Sequence, residues 1–204
     1  MTGETPAPLW TGRLVRLRPP EPADWERFHG DSLDTDAQRY GSQIEIGRST
    51  EGARRWAEEK ATVRPESDDY FWSIESLERS ELVGAINVHS AHRRNGTFEY
   101  GISIFRQHWR RGYAIDAIYV LLKYYFSELR YEKANAVVYA FNERSLGMHR
   151  SAGFTEEGRM RSQIYTDGKR HDVVLFGMTR EEYLAIAKKN RPPARRRGGR
   201  NVEK

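Results

Sequence analysis

The chain contains no cysteine, which excludes disulfides, thiolate metal sites and a cysteine-bound acyl intermediate. It has no run of eighteen apolar residues, so no membrane-spanning helix is expected. The start, Met1-Thr2-Gly3-Glu4-Thr5-Pro6-Ala7-Pro8, lacks the basic and apolar regions of a secretory leader, and a cytoplasmic location is expected. Two catalytic signatures are also missing: the Gly-x-x-x-x-Gly-Lys-Ser/Thr of nucleotide triphosphate sites and the Gly-x-Ser-x-Gly nucleophile elbow. His89 and His92 have the spacing of metal ligands, but no third His or carboxylate lies nearby in sequence. They read as surface loop residues, and no metal is expected.

Charge is unevenly placed. The formal net charge of the 204 residues is +5, yet residues 188–204 hold eight Lys/Arg and one acid. The rest of the chain therefore carries 26 basic and 28 acidic side chains, a net of −2. The Pro, Gly and Arg content of 188–204 cannot build a core and reads as a disordered basic tail. Nucleic acid, if it is a partner at all, is expected only there; a solubilising tail with no partner explains the composition equally well.

The length suits one domain that buries a sizeable core. Arg13 to Arg18 alternates as a strand that Pro19 and Pro20 stop. Helices are expected at 22–30 and 50–62, the latter capped by Ser49 or Thr50, with an acidic, flexible stretch between them (Asp31, Asp34, Asp36, Glu45). Strands follow at about 70–76, 81–89 and 97–105, then a helix at 113–129, a strand at 134–141 and a helix at 143–152. Strands 157–165 and 170–178, joined by the turn Thr166-Asp167-Gly168-Lys169, and a short amphipathic helix from Thr179 complete the order.

Two segments carry chemistry. Trp109-Arg110-Arg111-Gly112-Tyr113-Ala114-Ile115 joins a strand to a helix whose apolar face is Ala114, Ala117, Ile118, Leu121, Leu122, Tyr125 and Leu129. The first amides of a helix lack intrahelical acceptors and lie at the positive end of its dipole, so they suit a phosphate. Gly112 would let an anion approach the backbone, and Arg110 and Arg111 add charge. An ordinary strand-to-helix connection with solvated arginines has the same local sequence. The second segment runs from Asn142 to Phe154, with Asn142 as candidate N-cap and Gly153 as candidate C-cap.

Together these segments resemble the GNAT superfamily of acetyl-CoA-dependent N-acetyltransferases, over roughly residues 12 to 180. Trp109, Gly112 and Ala114 fill positions of the family's Gln/Arg-x-x-Gly-x-Gly/Ala loop, with Trp in place of Gln or Arg. Asn142, Ser145, Gly153 and Phe154 match its Asn-x-x-Ser/Ala…Gly-Phe segment. Thr11 to Arg18 and Tyr165 to Val173 are most similar to the branch of ribosomal-protein N-terminal acetyltransferases and bacterial spermidine/spermine acetyltransferases. The resemblance implies an α/β fold of mixed, mostly antiparallel sheet, splayed in a V and flanked by helices. It also implies an N-terminal extension (1–11), an acetyltransferase domain (12–187) and the tail (188–204). A homodimer is common among such enzymes.

The resemblance further implies site roles. Backbone groups of Ile102, Ser103 and Ile104 would hold the pantetheine arm of acetyl-CoA, and amides from Arg110 to Ile115, beside Trp109, its pyrophosphate. Asn142 would point to the pantetheine side. Acetyl transfer needs a neutral amine, although a free alkyl amine has a pKa near ~10.4, and a donor for the developing oxyanion. The departing thiolate is helped by a proton donor. His149 stands where many of these enzymes carry a Tyr, and it would donate to the sulfur or hold a water there, or else be a packing histidine. Ser145 is the second candidate. Glu99 would take the amine proton through a water, or else pair with Arg93 or Arg94. Asp31 and Asp34, with Asp36 and Glu45, would attract a cationic amine, and Tyr165, Asp167 and Asp172 would shape the acceptor groove. Ile164 and Ala85 stand where the two subfamilies carry Glu. The acceptor stays open between a small-molecule amine (polyamine, amino sugar or antibiotic) and a protein N-terminus. The alternative is a non-catalytic CoA-binding module whose tail grips nucleic acid.

Overall fold

Burial alternates along Val15 and Leu17 and marks strand β1 (Val15–Arg18), the edge of a seven-stranded sheet. The computed structural model describes residues 8–41, 44–63 and 66–189. After β1 come a 3-10 turn (Pro22–Asp24) and helices α1 (Trp25–Ser32), α2 (Thr35–Arg39) and α3 (Thr50–Thr62). Strands β2 (Phe71–Ser76), β3 (Leu82–His92) and β4 (Thr97–Ile104) form the first half of the sheet. A second 3-10 turn (Arg106–His108) leads into α4 (Tyr113–Ser127), β5 (Lys133–Tyr139) and α5 (Glu143–Ser151). The hairpin β6 (Thr155–Thr166) and β7 (Lys169–Thr179) and helix α6 (Arg180–Lys189) end the described chain.

The sheet order is β1-β2-β3-β4-β5-β7-β6, with every pair antiparallel except β4–β5. The parallel ladder runs through Thr97–Lys133, Phe98–Ala134 and Glu99–Asn135 and then stops. Beyond it the two strands continue without pairing, which is the expected V. The apolar face of α4 lies over the sheet, where Phe98 packs on Tyr125 (ring centroids 4.4 Å apart) and Tyr131.

Most elements stand where the sequence puts them. Ser49 caps α3 by accepting from the Gly52 amide at 3.1 Å, and the β6–β7 turn has positive φ at Asp167 and Gly168. Two differences bear on the site. The acidic stretch holds a short helix, α2, because the Asp34 carboxylate accepts from the Ala37 amide at 3.0 Å and caps it. His89 and His92 both belong to strand β3 and are no loop residues. The domain's contacts also begin before residue 12: the Trp10 ring packs against Tyr124 at 4.4 Å and Trp72 at 5.6 Å. Lys188 and Lys189 close α6, while the rest of the basic tail, 190–204, and residues 1–7 of the N-terminal extension lie outside the described residues.

Candidate active site at the splay of the sheet

A cleft of about 750 Å³ opens where β4 and β5 part. The Phe105 N–H donates to the Val83 carbonyl at 2.9 Å, and the Val88 N–H turns outward to the Tyr70 carbonyl at 2.8 Å. Hydrogen-bonded and non-bonded positions alternate in an antiparallel pair, so the N–H and C=O of Ile102 face away from β3 and into the gap. The same alternation turns Ile104 toward the gap, where its carbonyl accepts from Trp109 Nε1. Ser103 is different. Its backbone faces β3, leaving its exposed side chain as its contribution to the cleft wall.

At one end of the cleft the chain turns through two left-handed residues, Arg110 (φ 63°) and Gly112 (φ 80°), before α4 begins. Gly112 is the N-cap and offers no side-chain oxygen, so the amides of Tyr113, Ala114 and Ile115 keep no helix acceptor. The carboxylate of the first turn, Asp116, is directed elsewhere: it accepts from the amides of Arg13, Leu14 and Val15 at 2.8–3.0 Å. That bond set ties β1 to α4 and leaves the helix end electropositive, with Arg110 and Arg111 exposed beside it and without carboxylate partners among the described residues. Trp109, the departure from the family loop, is held by the guanidinium groups of Arg144 (4.6 Å to the ring centroid) and Arg106 (5.4 Å).

Helix α5 forms the opposite wall. The Asn142 carboxamide is committed: its Oδ1 accepts from the Ser145 amide at 3.1 Å and its Nδ2 donates to the Tyr40 carbonyl at 2.8 Å. It caps α5 and anchors the end of α2, while still lining the cleft. His149 is buried among Tyr100, Phe154 and Phe176. Its Nδ1 lies 2.8 Å from the Ser145 carbonyl, so the ring hydrogen sits on Nδ1, and Nε2 is sealed with no partner among the described residues. Burial pushes its pKa below the usual imidazole value, against the opposing effect of that hydrogen bond. The ring is therefore neutral at pH 7 and has no hydrogen on Nε2 to give to a sulfur. Ser145 Oγ lies 3.3 Å from Nδ1 at the cleft wall.

The acceptor-side residues separate into two groups. Asp31, at the end of α1, lines the cleft, and burial followed by repulsion from Asp34 pushes its carboxyl up to about 6. Asp34 is not free for a substrate: Arg106 grips it with two nitrogens, its pKa is held low chiefly by that bond, and it caps α2. Asp36 is exposed near Arg106, and Glu45 is exposed outside the cleft lining. Tyr165, 65% exposed, is also outside it. Asp167 lies 3.9 Å from Arg39, and Asp172 holds the Ser162 amide (2.9 Å) and Arg159. Glu99 pairs with neither expected arginine. Arg93 is taken by Asp68, and Glu99 Oε1 lies 3.0 Å from His89 Nε2. Asp116 has no role in the sequence reading, and His89 stands there only as a surface loop residue. The acid in a helix first turn was visible, and so was the alternation Ile86-Asn87-Val88-His89 that marks a continuing strand.

Known proteins match this architecture. The family model of the acetyltransferase (GNAT) domain matches residues 14–155. The SPbeta prophage-derived uncharacterized N-acetyltransferase YokL of Bacillus subtilis (strain 168) is 38% identical over 175 residues, covering 85% of this chain and 94% of that protein. The uncharacterized N-acetyltransferase YoaA of the same organism is 30% identical over 172 residues, covering 84% and 96%. A crystal structure of spermidine N-acetyltransferase from Vibrio cholerae, in complex with CoA and spermine, superposes with a TM-score of 0.72 at 20% identity over 83% of this chain and 98% of that one. With a splayed mixed sheet, an uncapped basic helix start at the splay and a family match over most of its length, this chain belongs to the GNAT acetyltransferases.

Proposed function

We propose that the chain moves acetyl from acetyl-CoA to the primary amine of a small polycationic molecule. The observation that carries the acceptor half is Asp31, a half-buried carboxylate in the cleft wall that neither ion-pairs nor hydrogen-bonds with another described residue. A carboxylate in that position is a poor resident of an empty cleft and a good one beside a cation. The spermine-bound relative is in keeping with this choice.

Acetyl-CoA supplies the activated acetyl group. The amides of Tyr113 to Ile115 with Arg110 and Arg111 would hold its diphosphate, and the free edge of Ile102 its pantetheine arm. The Ile102 N–H would donate to the carbonyl oxygen as charge builds on it. Ser145 Oγ–H, oriented by His149 Nδ1, donates to the leaving sulfur. Asn142 holds α5 in place for this, with Oδ1 and Nδ2 of its carboxamide both engaged.

Incubating the purified chain with acetyl-CoA and a panel of spermidine, spermine, amino sugars, aminoglycosides and peptides tests the reading by mass spectrometry. A mono-acetylated polyamine is expected, and no acetylated product from any amine would refute it. For Asp31, KM for the polyamine should rise as pH falls through about 6, because the neutral carboxyl no longer attracts the cation. Asp31→Asn should show a high KM at every pH. Because burial raises the folded-state pKa of Asp31, its favourable contribution to stability belongs to the protonated form and is lost as pH rises through about 6. The Asn variant keeps that contribution, so its free form should melt higher than the wild type at pH 8. A lower melting temperature together with an unchanged KM would contradict the placement of Asp31.

A further inference from the structure

Glu99 stands one step outside the cleft lining, yet a line of polar side chains joins it to the cleft wall. Asn87 and His89 share one side of β3, and the register sets Asn87 opposite Gly101 and His89 opposite Glu99. His89 Nε2 is 3.0 Å from Glu99 Oε1, and Nδ1 is 3.3 Å from Asn87 Nδ2. An ionised carboxylate can only accept and an amide nitrogen can only donate, so the tautomer is set. Nε2 carries the hydrogen, and Nδ1 presents its lone pair toward Asn87, a cleft-lining residue. The approach is open because position 101 has no side chain. A Cβ there would come within 2.9 Å of Asn87 Oδ1 and 4.0 Å of His89 Cε1. The contact to Asn87 is long for a hydrogen bond, so a water entering over Gly101 can replace it at Nδ1. On the far side Glu99 is opposite Asn135, a neutral residue of β5, and Arg93 is engaged with Asp68, so no cation competes for the Glu99 carboxylate among the described residues.

We propose that His89, rather than Glu99, receives the proton released by the acceptor amine, with Glu99 as its positioning carboxylate. This rests on the acetyl-transfer reading above. As the amine lone pair forms the new C–N bond, its N–H bond breaks, and the proton passes through the water over Gly101 to the Nδ1 lone pair. The resulting imidazolium is balanced by Glu99 and returns its proton to solvent, which reaches the His89 side chain at 45% exposure. An imidazole changes charge near neutral pH and suits this exchange better than a carboxylate does.

The test uses the full chain with acetyl-CoA and spermidine, or whichever panel amine the wild type acetylates fastest. His89→Gln should lower kcat/KM about 100-fold at pH 7.5, the usual range for loss of a general base. Its affinity for CoA by calorimetry should stay within twofold of the wild type. The loss should shrink toward high pH, where the amine deprotonates unaided, and added imidazole should restore turnover to His89→Ala. Glu99→Gln should keep the pH profile's shape with a smaller loss. An active wild type beside a fully active His89→Gln overturns the relay, as does a loss that is flat with pH and resists imidazole. A wild type that acetylates nothing overturns the function on which the relay rests.

Discussion

Gly112→Val is expected to weaken CoA binding by at least about 10–100-fold while leaving the protein folded. Residue 112 sits at φ 80°, where a β-branched side chain is strained by roughly 1–3 kcal/mol, and each ~1.4 kcal/mol is a factor of ten. The chain has a local way to relieve the strain, because Gly112 is exposed and the turn can rotate out of the left-handed region. Doing so re-aims the amides of Tyr113 to Ile115, the groups proposed to hold the diphosphate. The added side chain also meets Leu14, whose Cδ1 is 3.2 Å from an ideal Cβ at this position. Gly30→Ala is the matched control, since a Cβ there meets nothing within 4 Å. Titration calorimetry on both variants, with circular dichroism for folding, decides the matter. Wild-type CoA affinity in Gly112→Val would show that the anion is held elsewhere. The proposed acetyl-CoA site would then need another anchor.

The half of the cleft proposed for the cofactor is readable as local structure because its sequence signals are local. A turn between a strand and a helix, a glycine in it and an apolar helical face are all contained in residues 98–129, and the structure keeps them together. The acceptor half is made of distant pairs that no local pattern announces. Asp34 has the look of a free acid, but Arg106, 72 positions away, grips it. Glu99 and His89 meet only because β3 and β4 pair in one particular register. The chemistry of His149 turns on which nitrogen bears the hydrogen. That is settled by a backbone carbonyl one helical turn earlier, together with burial under Phe154 and Phe176, and not by the residue type in the motif. Asp116 shows the same thing on a helix whose start was correctly expected and whose end falls two residues earlier than expected. Its carboxylate has no role in its own helix and instead satisfies three amides more than a hundred residues earlier.

Arg18→Ala is expected to destabilise the protein by about 3–5 kcal/mol, the range for stripping one partner from a buried ion pair. For a chain of this length that corresponds to a fall of roughly 6–20 °C in melting temperature. The Arg18 guanidinium joins Asp24 through both terminal nitrogens (2.7 and 2.9 Å) and Glu75 through Nε (2.6 Å). Glu75 keeps a second partner in Arg16, so the charge left alone is that of Asp24, whose side chain is 7% exposed. Ser73 Oγ (2.8 Å) and the Glu21 amide (3.0 Å) remain on it but carry no compensating charge. Burial alone would raise the Asp24 pKa; the hydrogen bonds from Arg18, Glu21 and Ser73 outweigh it and hold the carboxyl below its usual 3.8. The stabilisation is therefore complete above that value and drains away as pH falls through the lower folded-state one. Wild type and variant should accordingly converge in urea-melt stability toward pH 2 and differ most above pH 5; a difference that does not change with pH would place the effect in packing. The consequence reaches the cleft, because Asp24 is the residue from which α1 starts and Asp31 lies near that helix's other end. Below its melting temperature the variant should still bind CoA, whose proposed contacts come from β4, α4 and α5. Its KM for the proposed polyamine acceptor should rise, since the helix that carries Asp31 has lost its anchor to the sheet.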